Sequence, residues 1–283
     1  MILVTGAAGK TGRAVIRALI AKGGEVKALV HRPEQARPIQ DLGARHVLVG
    51  DMCDQLTLDH AAQDVRAVYH IPPNVHPDEL VMGQVVLLAA SAAGVDHFVY
   101  HSVLRPHIED MPHHWLKMRV EEQIFRSGLS FTILQPTIYM QNMLAQRESI
   151  LSGDYPVPYA PGTRLSYVDL DDVATVAAGV IGNSDHYGAS YELVGTPGLT
   201  QLQLAAAMEK QLGRPVRAVC VPLDDWELQA RAAGLGSYQL ETLLGMFRYY
   251  EEFGFSGNPR VLTSLLGHEP TGLGTFLERT TWA

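Results

Sequence analysis

The 283-residue chain is 47% hydrophobic and 18% charged, the balance of an ordinary globular protein long enough to bury a large core. Its formal net charge of −8 excludes a general binder of nucleic acid or of acidic membranes. Two cysteines, Cys53 and Cys220, are too few for a disulfide framework or a zinc site, and the apolar run Val85–Val95 is too short for a membrane span.

In chain order, apolar runs at Ile2–Val4, Val26–Val30, His46–Val49, Ala67–Ile71, His97–His101 and Phe131–Gln135 predict strands. Helical patterns fill the intervals at Gly12–Lys22, Pro33–Leu42, Leu56–Ala62, Glu79–Ala93 and Pro112–Ser127. Strands alternating with single crossover helices predict an α/β fold, a Rossmann-type doubly wound parallel sheet. A first strand at Ile2 leaves no room for a signal or transit segment, so a cytoplasmic protein is expected.

The character changes near residue 150. Residues 152–162 are turn-rich and read as irregular; beyond them lie a short strand at Ser166–Val168, a helix at Asp169–Asn183 and a strand at Ser190–Val194. A helix capped by Thr200 ends before Gly213, Arg217–Val221 is strand-like, and two further helical stretches carry Trp226, Phe247, Tyr249 and Tyr250. The expected organisation is a dinucleotide-binding domain over 1–150 and a smaller, interleaved substrate lobe over 151–283, with about 165–195 contributing to the sheet region.

Between the first strand and helix stands Gly6-Ala7-Ala8-Gly9-Lys10-Thr11-Gly12. Gly9-Lys10-Thr11 resembles the end of a Walker A loop, but that loop needs a glycine where Val4 stands. What remains is a glycine at every third position between a buried strand and an amphipathic helix. Such glycines let backbone approach a pyrophosphate, and the helix N-terminus supplies free N–H groups and partial positive charge. A valine at Gly9 would fill that space, and the backbone there is expected to need positive φ.

The second strand ends in His31-Arg32-Pro33 with no carboxylate to hold the ribose 2′-hydroxyl of NAD. Arg32 offers a planar cation for a 2′-phosphate, and Lys10 a second charge, so NADP(H) is expected over NAD(H). Asp51, at the end of the third strand, either meets the adenine or caps the next helix. The set expected around the cofactor on this side is Thr5, Gly6, Ala8, Gly9, Lys10, Thr11, Gly12, His31, Arg32, Asp51, Met52, Ile71 and Pro72.

Thr5–Gly12, Val30-His31-Arg32-Pro33, Gly50-Asp51, Trp115-Leu116-Lys117 with Val120-Glu121, Gln135-Pro136 and Tyr167-Val168-Asp169 with Asp172-Val173-Ala174 form an ordered set. Together they resemble the NmrA-like atypical short-chain dehydrogenases/reductases, of the triphenylmethane reductase and quinone oxidoreductase type. The resemblance spans almost the whole chain and is strongest over residues 1–175. It implies an NADP(H) site and a substrate cleft roofed by the C-terminal lobe. The family also holds members that do no chemistry and sense the state of the NADP(H) pool.

Most short-chain dehydrogenases use a Tyr-x-x-x-Lys pair, in which lysine holds the nicotinamide ribose and tyrosine passes a proton. Lys117 matches the lysine, but His113 occupies the tyrosine position. The two are i and i+4 on one helical face. Ser102 follows the fifth strand, where the superfamily places a catalytic serine. The reading is that Lys117 orients the cofactor and His113 or Ser102 contacts the substrate's polar group. Tyr139, Asn142 and Tyr167 are substrate-pocket candidates at strand ends; Trp226 and Phe247 either wall the cleft or belong to the core.

Eight of the twelve histidines fall between His60 and His114, yet no H-E-x-x-H or acidic-ligand pattern accompanies them, so no metal is expected. Two functions stay open. One is an NADPH-dependent reductase of a small conjugated molecule, such as a quinone, an enone or a cationic aromatic. The other is a non-enzymatic NADP(H)-sensing regulator. An epimerase is disfavoured by the missing tyrosine. Neither nucleic acid nor membrane is an expected partner, and monomer and homodimer both remain open.

Overall fold

The computed structural model describes residues 1–282. Six strands, β1 (Ile2–Val4), β2 (Val26–Val30), β3 (His46–Val49), β4 (Ala67–His70), β5 (His97–His101) and β6 (Phe131–Pro136), alternate with helices α1 (Lys10–Ala21), α2 (Ala36–Asp41), α3 (Gln55–Ala62), α4 (Glu79–Ala92) and α5 (Pro112–Arg126). Next come β7 (Ile138–Tyr139), α6 (Arg147–Ser152), β8 (Asp154–Val157), β9 (Arg164–Leu165), β10 (Tyr167–Val168), α7 (Leu170–Val180) and β11 (Ala189–Leu193). Last are β12 (Leu199–Thr200), α8 (Gln201–Leu212), β13 (Arg217–Cys220), α9 (Leu223–Ala232), α10 (Ser237–Phe253), α11 (Arg260–Leu266) and α12 (Leu273–Arg279).

The main sheet has seven strands in the order β11-β6-β5-β4-β1-β2-β3. β1 pairs in parallel with both β2 and β4, Ile2 opposite Val26 on one side and Ala67 on the other. The strand order reverses at this β4–β1 pair, the position where doubly wound sheets bind ligands. β2, β4 and β5 are buried along their whole length, as strands covered by helices on both faces must be. One continuous core joins Leu3, Leu29 and Phe98 of the strands to Leu58 of α3, Val86 of α4 and Ile124 of α5.

The chain divides into two compact units. The first holds residues 1–107, 113–135 and 173–191; the second holds 108–112, 136–172 and the chain from 192 onward. The second unit therefore takes in residues 136–150, and the first takes back 173–191 from beyond the expected change near 150.

Two local departures from the sequence reading have plain causes. α1 begins at Lys10, before Gly12, because Gly9 is its N-cap. The segment 152–162, read as irregular, contains β8, which pairs in parallel with β13 with Val219 opposite Pro156. Pro156 argues against a strand by sequence, but a two-stranded ribbon has free edges on which proline loses no partner. Thr200 caps α8 as expected, accepting from the Gln203 amide at 3.2 Å, and Gly213 ends the helix at φ 66°. No helix among the described residues is long and apolar enough to cross a membrane.

Candidate dinucleotide site

The glycine loop follows β1 and is held from below. Thr5 is fully buried: its hydroxyl accepts from the Ile71 amide at 3.0 Å and lies 2.8 Å from Nδ1 of His70. Thr5 thus braces the loop from inside. The Arg13 guanidinium donates to the Ala8 carbonyl at 3.0 Å and fixes the far side.

Each glycine does a different job. Gly6 has φ +60°, and a Cβ on it would meet the Ile71 carbonyl oxygen at 2.4 Å. A Cβ on Gly12 would meet the Gly6 carbonyl oxygen at 2.4 Å, so this glycine lets α1 pack against the turn. Gly9 has φ −70° and ψ 165°, which corrects the expectation of positive φ there. A Cβ on Gly9 would approach only the Gly6 carbonyl oxygen, at 3.4 Å. Gly9 is exposed and caps α1 without a side-chain hydrogen bond. Only Gly9 leaves space above the loop that a side chain would fill, which is the fit a pyrophosphate requires.

At the tip of β2, His31 and Arg32 are exposed, and the Arg32 guanidinium lies 3.1 Å from Glu34. Asp51 is exposed, and its carboxylate accepts from the Cys53 amide at 2.9 Å; the cap of α3 is Asp54, which accepts from the Thr57 amide at 3.0 Å. Met52 packs on the edge of the core, and Ile71 and Pro72 are buried after β4. Lys10, the first residue of α1, is exposed, and Thr11 after it is buried.

His113 and Lys117 both turn into the first unit from α5. Lys117 Nζ donates to Glu79 Oε1 at 2.6 Å, and the Tyr100 hydroxyl donates to the same oxygen at 3.0 Å. Sequence reasoning missed Glu79 and Tyr100. Glu79 had one visible signal, as the lone charge in the apolar helix α4.

Burial, with the neighbouring His114 and the Lys117 charge, pushes His113 down to about 2. Its ring is therefore neutral near neutral pH. His70 and His101 are held neutral in the same way, each at about 3. Desolvation and the Glu79 carboxylate push the Tyr100 hydroxyl well above the ordinary value.

Ser102 is buried and donates to Glu121, whose two oxygens also accept from Gln135 at 2.9 and 3.0 Å. Burial pushes the Glu121 carboxyl up.

In the second unit, Tyr139 is half-buried and Asn142 exposed. Tyr167 is buried, its hydroxyl donating to Gln201 at 3.1 Å, so it points into the interior of its own unit. Trp226 and Phe247 stand edge to face with ring centroids 4.8 Å apart. The described residues contain no cluster of metal-ligating side chains.

A model of the NmrA-like family matches residues 1–278. The NAD(P)H azoreductase of Xenophilus azovorans is 32% identical over 246 residues, 86% of this chain and 83% of that protein. The crystal structure of an NADPH-dependent quinone oxidoreductase from Escherichia coli, complexed with NADPH, superposes with a TM-score of 0.85 at 27% identity and covers 98% of both chains. The structure of Citrobacter sp. triphenylmethane reductase shares the fold, with a TM-score of 0.86 at 24% identity over 99% of both chains.

Proposed function

The chain belongs to the NmrA-like family, and from that footing we propose that it is an NADPH-dependent reductase of a conjugated small molecule, such as a quinone, an enone or a cationic aromatic. One observation carries the reading. The open, side-chain-free helix N-terminus at Gly9 follows β1 in the first unit, which also holds the charge-paired lysine Lys117. The likeness to the NADPH-complexed quinone oxidoreductase supports the choice of cofactor, and the azoreductase relative supports a conjugated acceptor.

The amides at the start of α1 bind the pyrophosphate, Arg32 takes the 2′-phosphate, and Lys117 orients the nicotinamide ribose. NADPH, when bound, supplies the hydride. Neutral His113 and the firmly protonated Tyr100 leave the chain without a strong proton donor around Lys117. Such a site suits acceptors that take their proton from water afterwards, or cationic ones that hydride already neutralises.

For Arg32, loss of charge-assisted bonds to the 2′-phosphate should cost about 1.5–3 kcal/mol. Arg32→Ala is therefore expected to erase roughly ten- to hundredfold of the preference for NADPH over NADH. Calorimetry with both cofactors checks it, and equal affinities in the unmodified protein would contradict the assignment.

The reading itself is tested by NADPH consumption against quinone, enone, azo and cationic aromatic acceptors. Turnover with at least one class is expected. A complete absence of oxidation, with NADPH-dependent capture of a protein partner, would leave the sensing role instead.

A further inference from the structure

A carboxylate with no exposed surface needs a reason to be there. Glu79 is 0% exposed at the start of α4, a helix that carries no other charge. Helix geometry delivers it to Lys117. A Cβ on Gly83 would sit 2.9 Å from both methyl carbons of Val120, so α4 and α5 cross with their backbones close together at this point. Glu79 lies one turn before Gly83, and Lys117 about one turn before Val120, so the crossing brings the two charges together.

The pairing is selective. Glu121, one turn further along α5, is taken by Ser102 and Gln135. The histidines whose protonation Lys117 disfavours, His70, His101, His113 and His114, are held neutral by burial and offer no counter-charge. Tyr100 then pins the shared oxygen of Glu79 from β5. An ammonium has three donors, and Glu79 takes one of those on Lys117.

We propose that Glu79 is a positioning residue: it fixes the Lys117 ammonium so that its remaining donors meet the nicotinamide-ribose hydroxyls, while Tyr100 fixes Glu79. The inference rests on the reading of Lys117 given above. Its effect is local to one end of the cofactor. The 2′-phosphoadenosine half, held by Arg32 and the glycine loop, does not depend on it.

The test is calorimetric affinity for two probes, NADPH and 2′,5′-ADP, which lacks the nicotinamide ribose. The proteins are the unmodified chain, Glu79→Gln, Tyr100→Phe, Lys117→Met and the double variant Glu79→Gln/Lys117→Met. Glu79→Gln is expected to weaken NADPH about tenfold and to leave 2′,5′-ADP within about twofold. Tyr100→Phe keeps the ring and removes only the hydroxyl, so it stands even if Glu79→Gln folds poorly; a loss of about threefold, again for NADPH alone, is expected. On the Lys117→Met background, Glu79→Gln should cost nothing further.

Equal losses for both probes, or an unchanged NADPH affinity in Glu79→Gln and Tyr100→Phe, would overturn the proposal. An equal cost of Glu79→Gln with and without Lys117 would overturn it as well. Unmodified NADPH affinity in Lys117→Met would remove the reading of Lys117 and this inference with it. That failure is distinct, because it shows in the single lysine variant before any change at Glu79.

Discussion

Gly9→Val is expected to fold and to lose NADPH affinity by about a hundredfold or more, equivalent to about 2.7 kcal/mol. The backbone of Gly9, at φ −70° and ψ 165°, is one that valine adopts without strain. The added Cβ has only the Gly6 carbonyl oxygen within 4 Å, at 3.4 Å, so the chain has room for it. Valine is a poorer N-cap than glycine, at a cost of about 1 kcal/mol. What it removes is the open approach to the α1 amides, where charge-assisted bonds to pyrophosphate would form. Gly6 and Gly12 are poor probes of the same idea. A side chain at either would strike backbone at 2.4 Å, and loss of binding would follow from loss of fold. Thermal unfolding and NADPH titration of Gly9→Val separate the two effects; unmodified affinity would contradict the loop reading.

Lys117→Met should be the most destabilising single change in the network, by about 3–5 kcal/mol, because it strands a buried carboxylate. Glu79 has its Oε2 already buried without a partner, and only the Tyr100 hydroxyl would remain on Oε1. For a chain of this size the loss corresponds to a fall in Tm of roughly 6–20 °C. Glu79→Gln on the same background should return a large part of it, since the charge that lost its partner is then gone. A Tm within a degree or two of the unmodified protein would show that the pair carries no such charge.

Much of the fold was legible because strands covered on both faces read as short, mostly apolar runs, which β1, β2, β4, β5 and β6 are despite Lys27, His70, His97, His101 and Gln135 within them. β8 was hidden by Pro156, which a short ribbon tolerates and a central strand would not. The glycine loop could be read from its three-residue spacing, but spacing did not say which glycine is left-handed; the need falls on Gly6, where the chain turns under Ile71. Lys117 was visible through the family resemblance, as the match to the lysine of the Tyr-x-x-x-Lys pair. Its partner was not, since the meeting of Glu79 with Lys117 is made by a helix crossing at Gly83 and Val120 that no local pattern records. The charge of the histidine at position 113 was hidden for a related reason. Sequence gives the side chain and its ordinary proton affinity, whereas burial beside Lys117 decides its charge.

The most direct measurement is transfer of label from NADPH carrying deuterium at the transferable C4 position. An enone or a cationic triarylmethane acceptor keeps the delivered hydrogen on carbon, so mass spectrometry of the product reads the step itself. One deuterium per reduced molecule is expected, with loss of transfer in Gly9→Val. An unlabelled product, or no NADPH consumption with any acceptor by protein that binds the cofactor, would contradict it.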